Sequence, residues 1–509
     1  MGSTDLKSRK TVDGVEKVYV DGPSGVFGSL DVSTIQPQGQ GDFVYGISDI
    51  IFATSSYAGS SITTSNGMCS VTTGIIASSW AEIKLKRGLK YRPGQGSLGR
   101  ITALFDTPVA NNYQLAGLGN KECGYFVGYN GTDFGVLHQE TGQVEIRALT
   151  ITTGAGTGTV TVTLDGSAVT VDVVGGSDTT QTAYQLATLG DYSQAGDGGF
   201  TADAVGNVVY FTAKRPNSTS TGTYSVSGAS IVGTFAQTKA GTDPTLTFIA
   251  QSSMNGDRVD GTGPSGFTID PQKGNVFQIE YQYLGFGNAK VGVEDPDTGT
   301  FINMHCFKNA NLRTTPVLKN PNSSVVVGVF NVGNTSAVTL KTVSMGGFIE
   351  GDVKKLDPKF ADSFLINNLN TSDAVKPLAL VKANSVFNGD TCYGEFDLLR
   401  IGASNEANNQ TLTVSLYVGA EIGGDVNYEY IDETRSIVSV ATLAPASNSI
   451  DNLSDIEPLY QFVVGGNSAV GIPVEDLNFV FGQGHPMLIA VATSGQISGQ
   501  VSINWFEQQ

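Results

Sequence analysis

Three histidines and four cysteines in 509 residues bound the metal and nucleophile chemistry open to this chain. A zinc site needs four converging nitrogen or sulfur ligands, usually supplied as two close pairs. Cys69, Cys123, Cys306 and Cys392 are scattered, and no CxxC or HxxxH spacing is present, so no structural metal is expected. His305 adjoins Cys306, but neighbours on a strand point to opposite faces. Gly94, Gly96 and Gly99 spell the dinucleotide-binding fingerprint by letter. That fingerprint must open a helix, and Arg100–Phe105 reads as a strand, so the turn reading wins. No GxSxG elbow supports a serine nucleophile. Asp257, Asp260 and the Glu294-Asp295-Asp297 turn are rich in oxygen. They suit turn chemistry first and Ca²⁺ second, since that ion takes roughly six to eight oxygens and no EF-hand loop is present. Among 47 acidic residues nothing singles out a glycosidase pair. The expectation is no catalytic residue, no metal and no cofactor.

The elements that would position any site are strands. Glycine accounts for 64 residues, and the charged share of 15% is low against the usual quarter or so. That composition suits turn-rich sandwiches with uncharged polar faces. A formal net charge of −18 repels phosphates, which argues against nucleic acid or an anionic membrane as the partner. No apolar run reaches the length of a bilayer span, and the first residues lack a signal-peptide core. Scattered cysteines fit synthesis in a reducing cytoplasm.

The clearest signal lies in residues 263–307. Phe277, Ile279, Tyr281 and Tyr283 alternate with Gln278, Glu280 and Gln282, the period of a half-buried strand. Gly285 and Gly287 break the phase, Ala289, Val291 and Val293 resume it, and Asp295–Gly299 supplies the next turn. This predicts an antiparallel meander. Upstream, Asn130-Gly131 between alternating runs predicts a hairpin with Val127 opposite Phe134, Tyr125 opposite Val136 and Cys123 opposite His138.

Residues 148–250 lose aromatics and gain Thr, Gly and Val. Asp165-Gly166 predicts a second hairpin, Val162 opposite Val169 and Val160 opposite Val171. Asp178 can cap a helix over 179–190, with Gln181 completing a capping box. The reading is all-β: an arm over 1–41, with a strand near Lys17–Val20, and a sandwich made of 42–147 plus 251–350. A separable ββαββ α+β module over 148–250 interrupts it, a linker covers 351–365, and a C-terminal sandwich over 366–509 is closed by Trp505. Open sandwich edges need cover, so a homo-oligomer, a trimer first, is expected.

YRPGQGSLGRITALF, GYFVGYNGTDFGVLH, VEIRALTIT, GNVFQIEYQYLGFGNAKVGVEDPDTG and SMGGFIEG resemble virion structural proteins of tailed phages and large DNA viruses, described as tail-fibre-like or minor capsid components. The resemblance covers about residues 40–350, and the last 150 residues or so fall outside it. It implies tandem antiparallel sandwiches similar to jelly rolls and concanavalin- or laminin-G-like domains, where a glycan site often sits on loops at one end. On that analogy the glycan-binding candidates are Tyr129, Asn130 and Asp133 at the Asn-Gly turn, and Phe286 with Asn288 in the LGFG break. The function implied is a non-enzymatic external virion part that contacts host glycan and other virion proteins. A baseplate or capsid-surface assembly protein is the alternative. A glycan-degrading fibre enzyme is a further one, disfavoured by the lack of a rung-length repeat, as is a cellular adhesin by the missing signal peptide.

Overall fold

The computed structural model describes residues 34–92, 94–174, 178–217, 224–351, 358–477 and 479–508, and the backbone of 6–12 and 15–20. It is almost entirely β. Among the described residues there is one α-helix, Thr179–Leu189, and every strand ladder pairs antiparallel.

The first sandwich stacks two sheets over one core. One has seven strands in the order Thr245–Ala250, Asp133–Glu140, Gly124–Asn130, Asn112–Gly119, Ser324–Asn331, Trp80–Leu85 and Phe52–Tyr57. The other has six, in the order Phe301–Phe307, Ala289–Glu294, Asn275–Tyr281, Ser97–Ala103, Ser344–Glu350 and Ile35–Asp42. The predicted meander forms three neighbours of the six-stranded sheet. Phe277, Ile279 and Tyr281 are buried against Tyr125, Val127 and Val327 of the facing sheet. Tyr283 has left the strand and is partly buried, its hydroxyl donating to Leu318 O at 3.0 Å.

The Asn130-Gly131 hairpin turns one residue later than expected. Asn130 pairs with Asp133, Val127 with Val136 and Tyr125 with His138. Only Gly131 of the turn has positive φ, at 60°, so the central pair is Gly131-Thr132, the pattern that puts glycine first. The partners move by two positions and every side chain keeps its face. The Asp165-Gly166 hairpin matches expectation, with Val162 opposite Val169 and Val160 opposite Val171. Both of its turn residues have positive φ, 48° and 80°.

Several boundaries differ from the sequence reading. The inserted module starts within the strand Val144–Thr153 and ends with Val232–Lys239, and its entry and exit pair at Gln143 and Thr242. Thr245–Ala250 belongs to the host, as the edge strand beside Asp133–Glu140. The module has a four-stranded and a three-stranded sheet around its helix, more than a ββαββ unit. Asp178 caps that helix by accepting from Thr180 N at 2.7 Å. Gln181 makes no capping box; its side chain bonds Gly424 O and Val426 N instead. At the other junction Lys359–Leu369 is already a strand of the C-terminal sandwich, paired with Ile497–Gln508. The predicted linker therefore keeps only residues up to 358, of which 352–357 lie outside the described residues. In the arm, a hairpin joins Leu6–Val12 to Val15–Val20, and Ile35–Asp42 is an edge strand of the host. The C-terminal sandwich buries Trp505 and Phe396 in its core, as the alternation at Val501, Ile503 and Trp505 predicts.

Candidate functional site

The five glycan candidates do not come together. Tyr129 is a core residue, edge-on to Phe105 and Phe134. Asn130 and Asp133 pair with each other beside the hairpin turn. Phe105 also touches Phe277, near the start of strand Asn275–Tyr281. The LGFG break follows the other end of that strand, about 20 Å away at ~3.3 Å per residue. There Phe286 is 42% exposed, beside exposed Leu284. Asn288 is exposed, but its Oδ1 is spent on the backbone, accepting from Asn309 N at 2.8 Å and from Ala310 N. Two opposite ends of the sandwich thus share the predicted set, because sheet order, which decides where each loop emerges, is invisible to local alternation.

The acidic loops are tied to their own backbone. Asp257 accepts from Val259 N and Ser265 N, Asp260 from Thr262 N, and Asp295 from Asp297 N. Those bonds hold the Asp257 and Asp260 carboxyls below the usual range, although for Asp257 burial is the largest effect and acts in the opposite direction. No group of three or more His, Cys, Asp or Glu that could hold a metal is found among the described residues. His138 faces Tyr125 and stacks on it at 4.3 Å, and does not meet Cys123. Its Nε2 donates to Val317 O at 2.9 Å, and its Nδ1 lies 2.9 Å from Glu140, which in turn holds Arg313. Burial pushes this imidazole down to about 4, while Glu140 and the Val317 carbonyl favour the charged ring. The ring is wholly buried, so it has no route to a substrate.

What the sequence reading missed lies on the outer face of the seven-stranded sheet. In strand Trp80–Leu85, Ala81, Ile83 and Leu85 point into the core, so Glu82 and Lys84 point out. Beside them Leu115, Phe126, Leu137 and Val326 form a small apolar cluster of their own. Gly119 and Gly328 keep this face low: a Cβ at either would meet the ring of Phe126 or of Phe330 at 2.7 and 2.5 Å. Strand Val208–Pro216 of the inserted module crosses above. Arg215 stacks 3.9 Å from the Phe330 ring centroid and lies 5.5 Å from that of Trp80.

Between sheet and module remains a partly enclosed cavity of about 40 Å³. Its charged lining is Lys84, Lys121, Lys214 and Arg215 against the single carboxylate of Glu82. Burial lowers the Lys121 ammonium to about 8; Lys84 and Lys214 push the same way, against Glu82 and Glu122. Burial likewise lowers Lys214 and Arg215. The one legible trace was the outward Glu82 and Lys84 in an otherwise apolar strand. Nothing local links them to residues 121, 214 and 215.

No protein-family model matches the chain, and no curated protein matches it. Among solved structures, the crystal structure of the Emp47p carbohydrate recognition domain aligns with 62% of this chain and 95% of its own. The identity is 10% and the TM-score 0.22, a level that carries no argument about function.

Proposed function

We propose that the chain is a non-enzymatic structural component of a virus particle, displayed on its exterior as a homo-oligomer. The observation that supports this reading is the way three β units are clamped into one body by polar joints at their contacts. Lys90 of the first sandwich pairs with Glu395 of the C-terminal one at 3.3 Å, and Glu395 also accepts from Gly88 N. Asp203 of the inserted module pairs with Lys382, and Gly206 N donates to Tyr428 O at 2.8 Å. Tyr57 of the first sandwich donates to Gly196 O of the module at 2.7 Å. Such joints suit a part that transmits load and presents surfaces. They do not suit a hinged enzyme that opens and closes on substrate.

Light scattering of the purified chain should give a multiple of 53.2 kDa, three-fold first, and antibody labelling should decorate the outside of intact particles. A monomer at micromolar concentration together with unlabelled particles would overturn the proposal. The attachment role rests on the end of the sandwich where Leu284, Phe286 and Leu312 are exposed. There an aromatic face can stack on sugar, and many weak sites act through avidity. A glycan array probed with the native chain and a folded Phe286→Ala variant tests this; equal binding by both, or none by either, leaves assembly alone.

A further inference from the structure

We propose that the cavity between the seven-stranded sheet and strand Val208–Pro216 of the inserted module is a binding site for a compact oxyanion. The chain as a whole carries a net charge of −18, yet this cavity gathers Lys84, Lys121, Lys214 and Arg215 around Glu82 alone. Like charges held together in a poorly solvated space repel, and the cost is relieved only by a counter-charge. Glu82, Glu122 beside Lys121 and Asp191 beside Lys214 supply part of it from a distance. Arg215 lies over Phe330 and Lys214 donates to Ser193 O at 3.3 Å, but among the described residues none of the four cations forms a salt bridge. Of the polar lining, Asn120 spends its amide on Asn320 O and Asn322 O and its carbonyl on Glu122 N and Cys123 N, and Gln139 spends its amide N–H on Lys121 O.

Size and shape narrow the ligand. A volume of about 40 Å³ holds roughly three waters at ~10–15 Å³ each, the scale of one sulfate, phosphate or carboxylate group. A guanidinium and three ammonium groups are the donors that recognise such groups, Arg by its fork and Lys as a point charge. The apolar floor of Leu115, Phe126 and Val326 excludes water and strengthens each contact. Because Lys214 and Arg215 come from the inserted module and the rest from the sandwich, the anion would also fasten the two together.

The test is isothermal titration calorimetry of the full chain with sodium sulfate, sodium phosphate and sodium glucuronate, each against sodium chloride of matched ionic strength. Saturable binding above the chloride control is expected. Tighter sulfate and phosphate would identify a free tetrahedral ion, and tighter glucuronate the carboxylate of an acidic sugar. Lys121→Gln should weaken the preferred ligand about ten-fold or more, the loss of one charge-assisted hydrogen bond. Glu82→Gln should tighten it, by removing the one carboxylate that lines the cavity. Sulfate keeps its charge across the range, so its affinity in the native chain should fall as pH rises through about 8, where Lys121 loses its proton among Lys84, Lys214, Glu82 and Glu122. The urea midpoint checks that each variant is folded; should Lys121→Gln fail, Glu82→Gln and the pH profile carry the test. No saturable binding of any of the three, or affinities unchanged by Glu82→Gln and by pH, would overturn the proposal.

Discussion

Replacing Asp203 with alanine should destabilise the joint between the inserted module and the C-terminal sandwich far more than a surface substitution would. Lys382 is 7% exposed. Its ammonium is met by the Asp203 carboxylate, by Ala204 O at 2.7 Å and by the face of Tyr428 at 4.1 Å. The other oxygen of Asp203 accepts from Ser385 N at 2.8 Å. Asp203→Ala therefore leaves a buried ammonium with one carbonyl and a ring, and an unmatched backbone N–H. Breaking such a pair costs about 3–5 kcal/mol, because the remaining charge stays buried. Removing both charges in Asp203→Ala with Lys382→Met should cost only about 1–2 kcal/mol, chiefly the orphaned Ser385 N–H. The assay is urea unfolding at neutral pH followed by tryptophan fluorescence. Trp80 and Trp505 are both buried, one in each sandwich, so the summed signal follows the unfolding of both. A single variant that loses less than about 1 kcal/mol, or a double variant as unstable as the single, would refute the reasoning.

Four further outcomes are expected. Burial lowers the pKa of His485 to about 4, helped by Lys86, and that of His305 below its usual value. Both rings accept at Nδ1, from Lys86 Nζ and from Asn255 N. Protons then bind the unfolded chain better, so stability is full above about pH 6.5 and falls as pH drops toward 4; a His485→Gln variant should show a flatter profile of urea midpoint against pH. Phe277→Ala, at a fully buried position touching Phe105, should cost about 3–5 kcal/mol by the same unfolding assay. Gly128 has φ of 149°, and a Cβ there would sit 1.9 Å from Gln114 O on the neighbouring strand, so Gly128→Ala should yield no soluble folded chain on gel filtration. Joining 143 to 242 to excise the module should give an aggregating product, contrary to the separable insertion that composition suggests. Excision bares Phe330 and strands Lys382 without its carboxylate, and a soluble, cooperatively unfolding deletion would count against that account.

Period-two alternation and turn chemistry are local, and whatever depended on them was legible in the residues themselves. Phe277, Ile279 and Tyr281 face the core, Asp165-Gly166 sets the pairing of Val160 with Val171, and Asp178 starts the one α-helix described. A two-residue turn can be centred on either side of Gly131, so the local pattern fixes the faces of the first hairpin and leaves its pairing open by two partners. Sheet order is another matter, because it joins strands hundreds of residues apart through backbone bonds that every sequence can make. Ser324–Asn331 lies between Asn112–Gly119 and Trp80–Leu85, and Thr245–Ala250 returns to the host sheet after the insertion. Only that order sends the Asn-Gly turn and the LGFG loop to opposite ends of the sandwich. It also brings Lys84, Lys121, Lys214 and Arg215 to one cavity. A charge on an outward strand position looks like a solvated surface until another unit of the chain is laid over it, and the sequence holds no local signal of what will cover it.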